Sequence, residues 1–120
     1  MTASGEDDRL PTGLWVDAHV RRCISAAIPV YVVHKGAYAA GTVMVKIVMR
    51  EGMRTLGCIL LNQTRDMDGV MGWMHVLDDG PIDERRADDY IKRAIARDPD
   101  VWVIEVEDAA GKNPFEGKIL

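Results

Sequence analysis

Between Asp83 and Pro99 the apolar residues Ala87, Tyr90, Ile91, Ala94 and Ile95 keep the i, i+3, i+4, i+7, i+8 spacing of one helical face. Glu84, Arg85, Asp88, Asp89, Lys92, Arg93 and Arg97 fill the rest of the arc, which predicts an amphipathic helix with its stripe on a core. Asp83 is placed to cap the first turn, and Ile82 to staple against Ala87. Acids at the start and arginines at the end complement the helix dipole, and Pro99 forces Asp98 out of helical geometry. A second stripe, Val16, Val20, Cys23, Ile24 and Ala27, predicts an earlier helix that Thr12 is placed to cap. Pro29 disfavours helical geometry at Ile28 and stops it there.

Strand-like patterns fill the interval between the two helices. "VYVVH" (Val30 to His34) is β-branched and apolar on both parities, as a strand covered on both sides would be. After the small-residue connector "KGAYAAG", "TVMVKIVM" puts Val43, Val45, Ile47 and Met49 on one face and Thr42 and Lys46 on the other. "REGMR" reads as a hairpin connection around Gly52, leading into "TLGCILLNQ" (Thr55 to Gln63). "TRDMDG" supplies a turn at Asp68-Gly69, and "VMGWMHVL" (Val70 to Leu77) returns as a fourth strand. Beyond the second helix, "VWVIEV" places Trp102, Ile104 and Val106 on one face; Val101, Val103, Glu105 and Glu107 share the other.

The order helix, four strands, helix, strand predicts an α+β domain: a mainly antiparallel four- or five-stranded sheet packed with two helices. Short connections suggest that the four central strands form an antiparallel meander, with the last strand joining after a helical crossover. Residues 1–11 are expected to be a mobile leader, 12–108 the domain, and 109–120 a C-terminal tail whose Phe115 or Ile119-Leu120 docks back.

Composition narrows the function. A chain of 120 residues, 48% hydrophobic and 28% charged, makes one globular domain. A net charge of -4 disfavours a nucleic-acid partner, because phosphate backbones require concentrated lysine and arginine. No apolar run approaches membrane-spanning length, and the acidic start does not resemble a secretory signal, so a cytoplasmic location is expected. Cys23 and Cys58 sit in apolar segments and are expected to be buried, reduced thiols.

With these elements placed, "LWVDAHVRRC", "AGTVMVKI", "GWMHV" and above all "YIKRAIARDPDVWVIEVED" resemble a family of small alphaproteobacterial proteins known as domain of unknown function 1491. The likeness runs from about Leu14 to Asp108. It implies a compact stand-alone domain and supplies no catalytic residues.

The sharpest chemical hypothesis is a metal-dependent hydrolase or degenerate nuclease. The element order resembles cores of the restriction-endonuclease type, whose chemistry needs an acid two residues before a lysine. The residues two before Lys35, Lys46, Lys92, Lys112 and Lys118 are Val33, Met44, Tyr90, Ala110 and Glu116, and Glu116 lies in the tail. The remaining metal candidates are Glu105 and Glu107, same-face neighbours about 7 Å apart, with Asp66 and Asp68 of "RDMD". His19, His34 and His75 have no zinc-ligand spacing, although His34 and His75 would meet if their strands paired. No cofactor motif is visible. The strand carrying Met71, Trp73 and Met74 is apolar on both faces, so these three are candidates for an interface. The balance favours a non-enzymatic domain that binds a protein partner or forms a homodimer.

Overall fold

The computed structural model describes residues 10–120. The expected leader therefore lies outside the described residues over 1–9, and Leu10 and Pro11 lead directly into the first helix. The elements are α1 (Thr12–Ser25), β1 (Val30–His34), β2 (Val43–Glu51), β3 (Arg54–Arg65), β4 (Met71–His75), α2 (Glu84–Arg97), β5 (Trp102–Glu107) and β6 (Lys118–Ile119). They form an α+β domain in which a six-stranded sheet, ordered β1-β5-β2-β3-β4-β6, carries one helix on each face.

Two features of this order depart from expectation. β2, β3 and β4 form the antiparallel meander, but β1 does not join it. β5 enters between β1 and β2, antiparallel to the first and parallel to the second. The eight residues between His34 and Val43 are long enough to step over an intervening strand. The sixth strand comes from the C-terminal tail, where Lys118 and Ile119 pair in parallel with Gly72 and Trp73.

Strand alternation sorts the core into two layers. On one face Val43, Val45, Ile47, Ile59, Leu61, Trp73, Trp102, Ile104 and Val106 meet Val16 and Cys23 of α1, with Phe115 from the tail. On the other, Met44, Val48, Cys58, Leu60, Val101 and Val103 meet Ala87, Ile91 and Ala94 of α2. α2 agrees with its sequence pattern: the Asp83 carboxylate accepts the Arg85 N–H at 2.8 Å, and Ile82 and Ala87 share its core layer.

α1 is rotated from the predicted stripe. His19 is buried and Ile24 is exposed, because the helix turns to bring Trp15 inward, stacked on His19 with ring centroids 3.8 Å apart. Both rings then border Phe115, and Trp15 also borders Trp73, aromatic contacts that an inward Ile24 could not make. Thr12 does not cap this helix. Its hydroxyl donates to the Gly41 carbonyl at 3.1 Å, and Pro11 stands at the cap position without a side-chain bond.

The end of α1 is a reciprocal pair of backbone bonds, Ile28 N–H to Cys23 C=O (2.9 Å) and Ala27 N–H to Ile24 C=O (3.1 Å). That closure puts Ala27 at φ 58°, a conformation in which the alanine Cβ crowds the carbonyl.

α2 is tied to the sheet by an interaction that apolar patterning does not show. Lys46 points from β2 into the α2 layer and is only 4% exposed. Its ammonium lies 2.7 Å from Glu84 and 2.8 Å from Asp88 on α2, and 3.2 Å from Glu105 on β5. Burial alone would lower the Lys46 pKa. The hydrogen bonds from Asp88 and Glu84 and the charge of Glu105 together outweigh it and hold the pKa above the ordinary lysine value.

Two stability predictions follow from these contacts. Ala27→Gly removes the Cβ penalty at the end of α1 and is expected to stabilise the protein by about 1 kcal/mol, roughly a 4 °C rise in Tm by calorimetry. Lys46→Met leaves Glu105 facing Glu84 and Asp88 with no counter-charge. Removing one partner of a buried pair costs ~3–5 kcal/mol, and we expect about 2 kcal/mol by urea denaturation, since Glu84 and Asp88 side chains are 35% and 52% exposed. A raised folded-state pKa means that the Lys46 contribution is complete below the unfolded value near 10.5 and fades only as pH climbs through the higher folded value. The lysine-dependent part of the deficit should therefore be flat from pH 6 to 9 and shrink only in strong alkali.

Candidate interaction surface

The acids singled out in the sequence are occupied by neighbours within the chain. Glu105 pairs with Lys46, and Glu107 receives Arg50 at 3.2 Å. The parallel register of β2 and β5, Lys46 opposite Glu105 and Val48 opposite Glu107, produces both pairings. The carboxylates of Glu84, Asp88 and Glu105 do converge, and the point on which they converge is an ammonium.

Asp66 serves its own turn: its Oδ1 accepts the N–H groups of Asp68 and Val70, each at 2.9 Å. Those two backbone bonds are the main cause of its lowered pKa, with Lys118 adding a smaller share. Asp68 stands one residue before Gly69, whose φ of 80° completes the turn. Asp66 and Asp68 lie at the end of β3 opposite the β2–β3 hairpin and join neither glutamate. Among the described residues, no three His, Cys, Asp or Glu side chains form a group that could hold a metal ion.

The other candidates are equally separated. His34 on β1 and His75 on β4 have β5, β2 and β3 between them, so they do not meet. His34 Nδ1 instead lies 2.7 Å from the Val101 carbonyl. Cys23 and Cys58 are buried free thiols, and burial pushes the Cys58 pKa up to about 11, which keeps it protonated and unreactive.

Met71, Trp73 and Met74 do not form one surface. Trp73 is fully buried in the α1 layer with Met71 packed beside it, while Met74 lies half-exposed on the α2 side. The Trp73 indole N–H donates to the Glu116 carbonyl at 3.0 Å, so this residue belongs to the core that receives the tail.

A cleft of about 900 Å³ opens where Leu10 and Pro11 pass the ends of β2 and β3, beside Trp15, Gln63 and Met71. Two of its charged side chains hold local turns: Arg65 donates to the Gly69 carbonyl at 2.7 Å, and Asp98 accepts the Asp100 N–H at 3.1 Å.

The open surface is β1, whose doubly apolar pattern predicts a strand covered on both faces and which the structure leaves exposed. It stands at the edge, and its side chains Tyr31, Val32 and Val33 are 55%, 45% and 50% exposed. Tyr31, opposite Glu105, projects to the α2 side and Val32, opposite Ile104, to the α1 side, so apolar surface flanks the edge on both faces. A register shift between Val32 and His34 marks a bulge. The available sequence signal was Pro29, since a proline abutting a strand is an edge feature.

Comparison with known proteins adds family and fold. No curated protein matches this chain. A DUF1491 family protein from Caulobacter crescentus CB15, in its crystal structure, superposes with a TM-score of 0.82 at 32% identity, covering 93% of this chain and 100% of that one. The NMR structure of a DUF1491 family protein from the same organism gives 0.76 at 32% identity, covering 92% and 96%. The solution structure of Atu0922 from A. tumefaciens gives 0.65 at 25% identity, covering 83% and 86%. The family model described as "Protein of unknown function (DUF1491)" matches residues 10–116, and the chain belongs to that family.

Proposed function

We propose that this domain is a non-enzymatic protein-binding module that receives an extended segment at the β1 edge, adding it to the sheet as a further strand. The observation that carries this reading is an uncharged edge strand with three exposed apolar side chains. Ordinarily such an edge is shortened, charged or covered, because its unpaired N–H and C=O groups recruit other strands. Strand addition uses those groups for affinity and the flanking side chains for selectivity.

The acids give no support to hydrolysis, since Glu105 and Glu107 already neutralise Lys46 and Arg50. No helix among the described residues is long and apolar enough to cross a membrane. Free buried cysteines accord with a reducing compartment, and a cytoplasmic protein partner goes with this reading.

Two measurements test it. A synthetic peptide of residues 28–35, in large excess over a ¹⁵N-labelled domain dilute enough to be monomeric, is expected to shift and protect the Val30 and Val32 amides; unchanged β1 resonances at millimolar peptide would end the strand-addition reading. Thermal melts with Mg²⁺, Mn²⁺ or Zn²⁺ are expected to leave Tm unchanged. A rise with any of them would favour the metal-dependent hydrolase.

A further inference from the structure

We infer that the strand added to β1 is the β1 of a second copy of this chain, antiparallel to the first, with Tyr31 on the two-fold axis. The inference rests on the strand-addition reading and adds to it the identity of the partner.

Backbone phase fixes which groups are open. Trp102 N–H donates to Thr42 C=O (2.9 Å) and Asp108 N–H to Val48 C=O (3.0 Å), so even-numbered residues of β5 address β2. Glu107 N–H donates to Pro29 C=O (3.1 Å), so odd-numbered ones address β1. In this antiparallel ladder Tyr31, opposite Glu105, spends its backbone groups on β5. Val30 and Val32, opposite Val106 and Ile104, therefore turn theirs outward. Beyond Val32 the bulge returns His34 to Val103 and ends the open stretch.

The available edge is thus the N–H and C=O of two residues in alternate positions. Centring a second β1 on Val32 or on Val30 would use only one of the two. Centring it on Tyr31 pairs Val30 with Val32 of the second copy, and Val32 with its Val30, and satisfies every outward group on both chains.

Side chains agree with this register. The two Tyr31 residues become a facing pair on the α2 side, and valine meets valine on the α1 side, both favourable cross-strand combinations. Val33 falls opposite Pro29 of the second copy, whose missing N–H lies on the β5 side and costs nothing. No charged residue occurs between Pro29 and His34, so a symmetric pairing brings no like charges together.

The other sheet edge explains why the pairing closes on itself. β6 has only two residues, one of them Lys118, and offers β1 a poor head-to-tail partner. Joining β1 to β1 is isologous; it consumes the open edge of both copies and stops at two.

Light scattering on the full chain, from micromolar to near-millimolar concentration, tests the inference. The wild-type mass is expected to approach twice the 13.3 kDa of one chain. Val32→Pro deletes an outward N–H that β5 does not use, and should weaken association at least tenfold while circular dichroism remains native. Register is read by disulfide trapping, with Cys23 and Cys58 buried and out of competition. Tyr31→Cys would place two thiol-bearing residues about 4.5 Å apart at Cα, within disulfide reach, and should cross-link on mild oxidation. Val33→Cys would hold its counterpart roughly 13 Å away and should not. A wild-type chain that stays monomeric, or Val33→Cys cross-linking as well as Tyr31→Cys, overturns the inference. If the chain is monomeric yet the residue 28–35 peptide still binds β1, strand addition stands and only the partner is wrong. If it dimerises with no effect from Val32→Pro and no peptide binding, both readings fail.

Discussion

The parallel pairing of β2 with β5 is the constraint on which the rest of this molecule depends. A parallel neighbour cannot be reached by a hairpin, so the chain must travel away and return, and β3, β4 and α2 are laid down on that excursion. The return brings the first two turns of α2 over the middle of β2, where Glu84 and Asp88 close on Lys46. The same register sets Glu105 beside Lys46 and Glu107 across from Val48, within reach of Arg50. The charged side chains in the α2 layer are therefore consequences of topology, and so is the exposed edge: by taking both β1 and β2 as neighbours, β5 leaves β1 with a single partner.

On the opposite face the tail does what α2 does on the first. Phe115 enters the aromatic group of Trp15, His19 and Trp73, and the Leu120 N–H donates to the Trp73 carbonyl at 2.8 Å. The approach requires a glycine in β4, because a Cβ on Gly72 would lie 2.7 Å from the Lys118 carbonyl oxygen. Residues 109–120 thus complete the α1 layer and cover the outer side of β4. The sheet's two edges consequently differ in kind, one covered by a short lysine-bearing strand and the other open and apolar.

What could be read from the sequence was local. α2 was legible in its stripe, cap, staple and stop because each of those signals acts within a few residues. The faces of β5 were legible for the same reason: Trp102, Ile104 and Val106 do share one layer, and Val101 and Val103 the other. Strand order was not, since alternation reports how a strand meets the layers above and below it and is silent on its neighbours in the plane. That silence hid the Lys46 site. A lone lysine in "TVMVKIVM" shows that one face of β2 tolerates a charge, but the acids that answer it are 38, 42 and 59 positions away. It also hid β1, whose doubly apolar pattern suits a strand covered on both faces and equally one left at an associating edge. α1 was misread for a different reason: a stripe counted by hydrophobicity gave Ile24 weight that the larger Trp15 takes in the packed layer.

The open edge also has to be reconciled with the hazard that such edges carry. A long, flat apolar edge invites register slippage and growth into fibres. β1 escapes both through its ends. Pro29 precedes it and contributes no N–H, and the bulge after Val32 turns the backbone of His34 back to β5, so the groups left to a partner belong to two residues alone. A stretch that short cannot slide by two positions without losing half of its bonds, and a slide by one would invert the facing side chains. For the proposed strand addition, the bulge that looks like a defect in the β1–β5 ladder is thus the feature that confines an added strand to a single register.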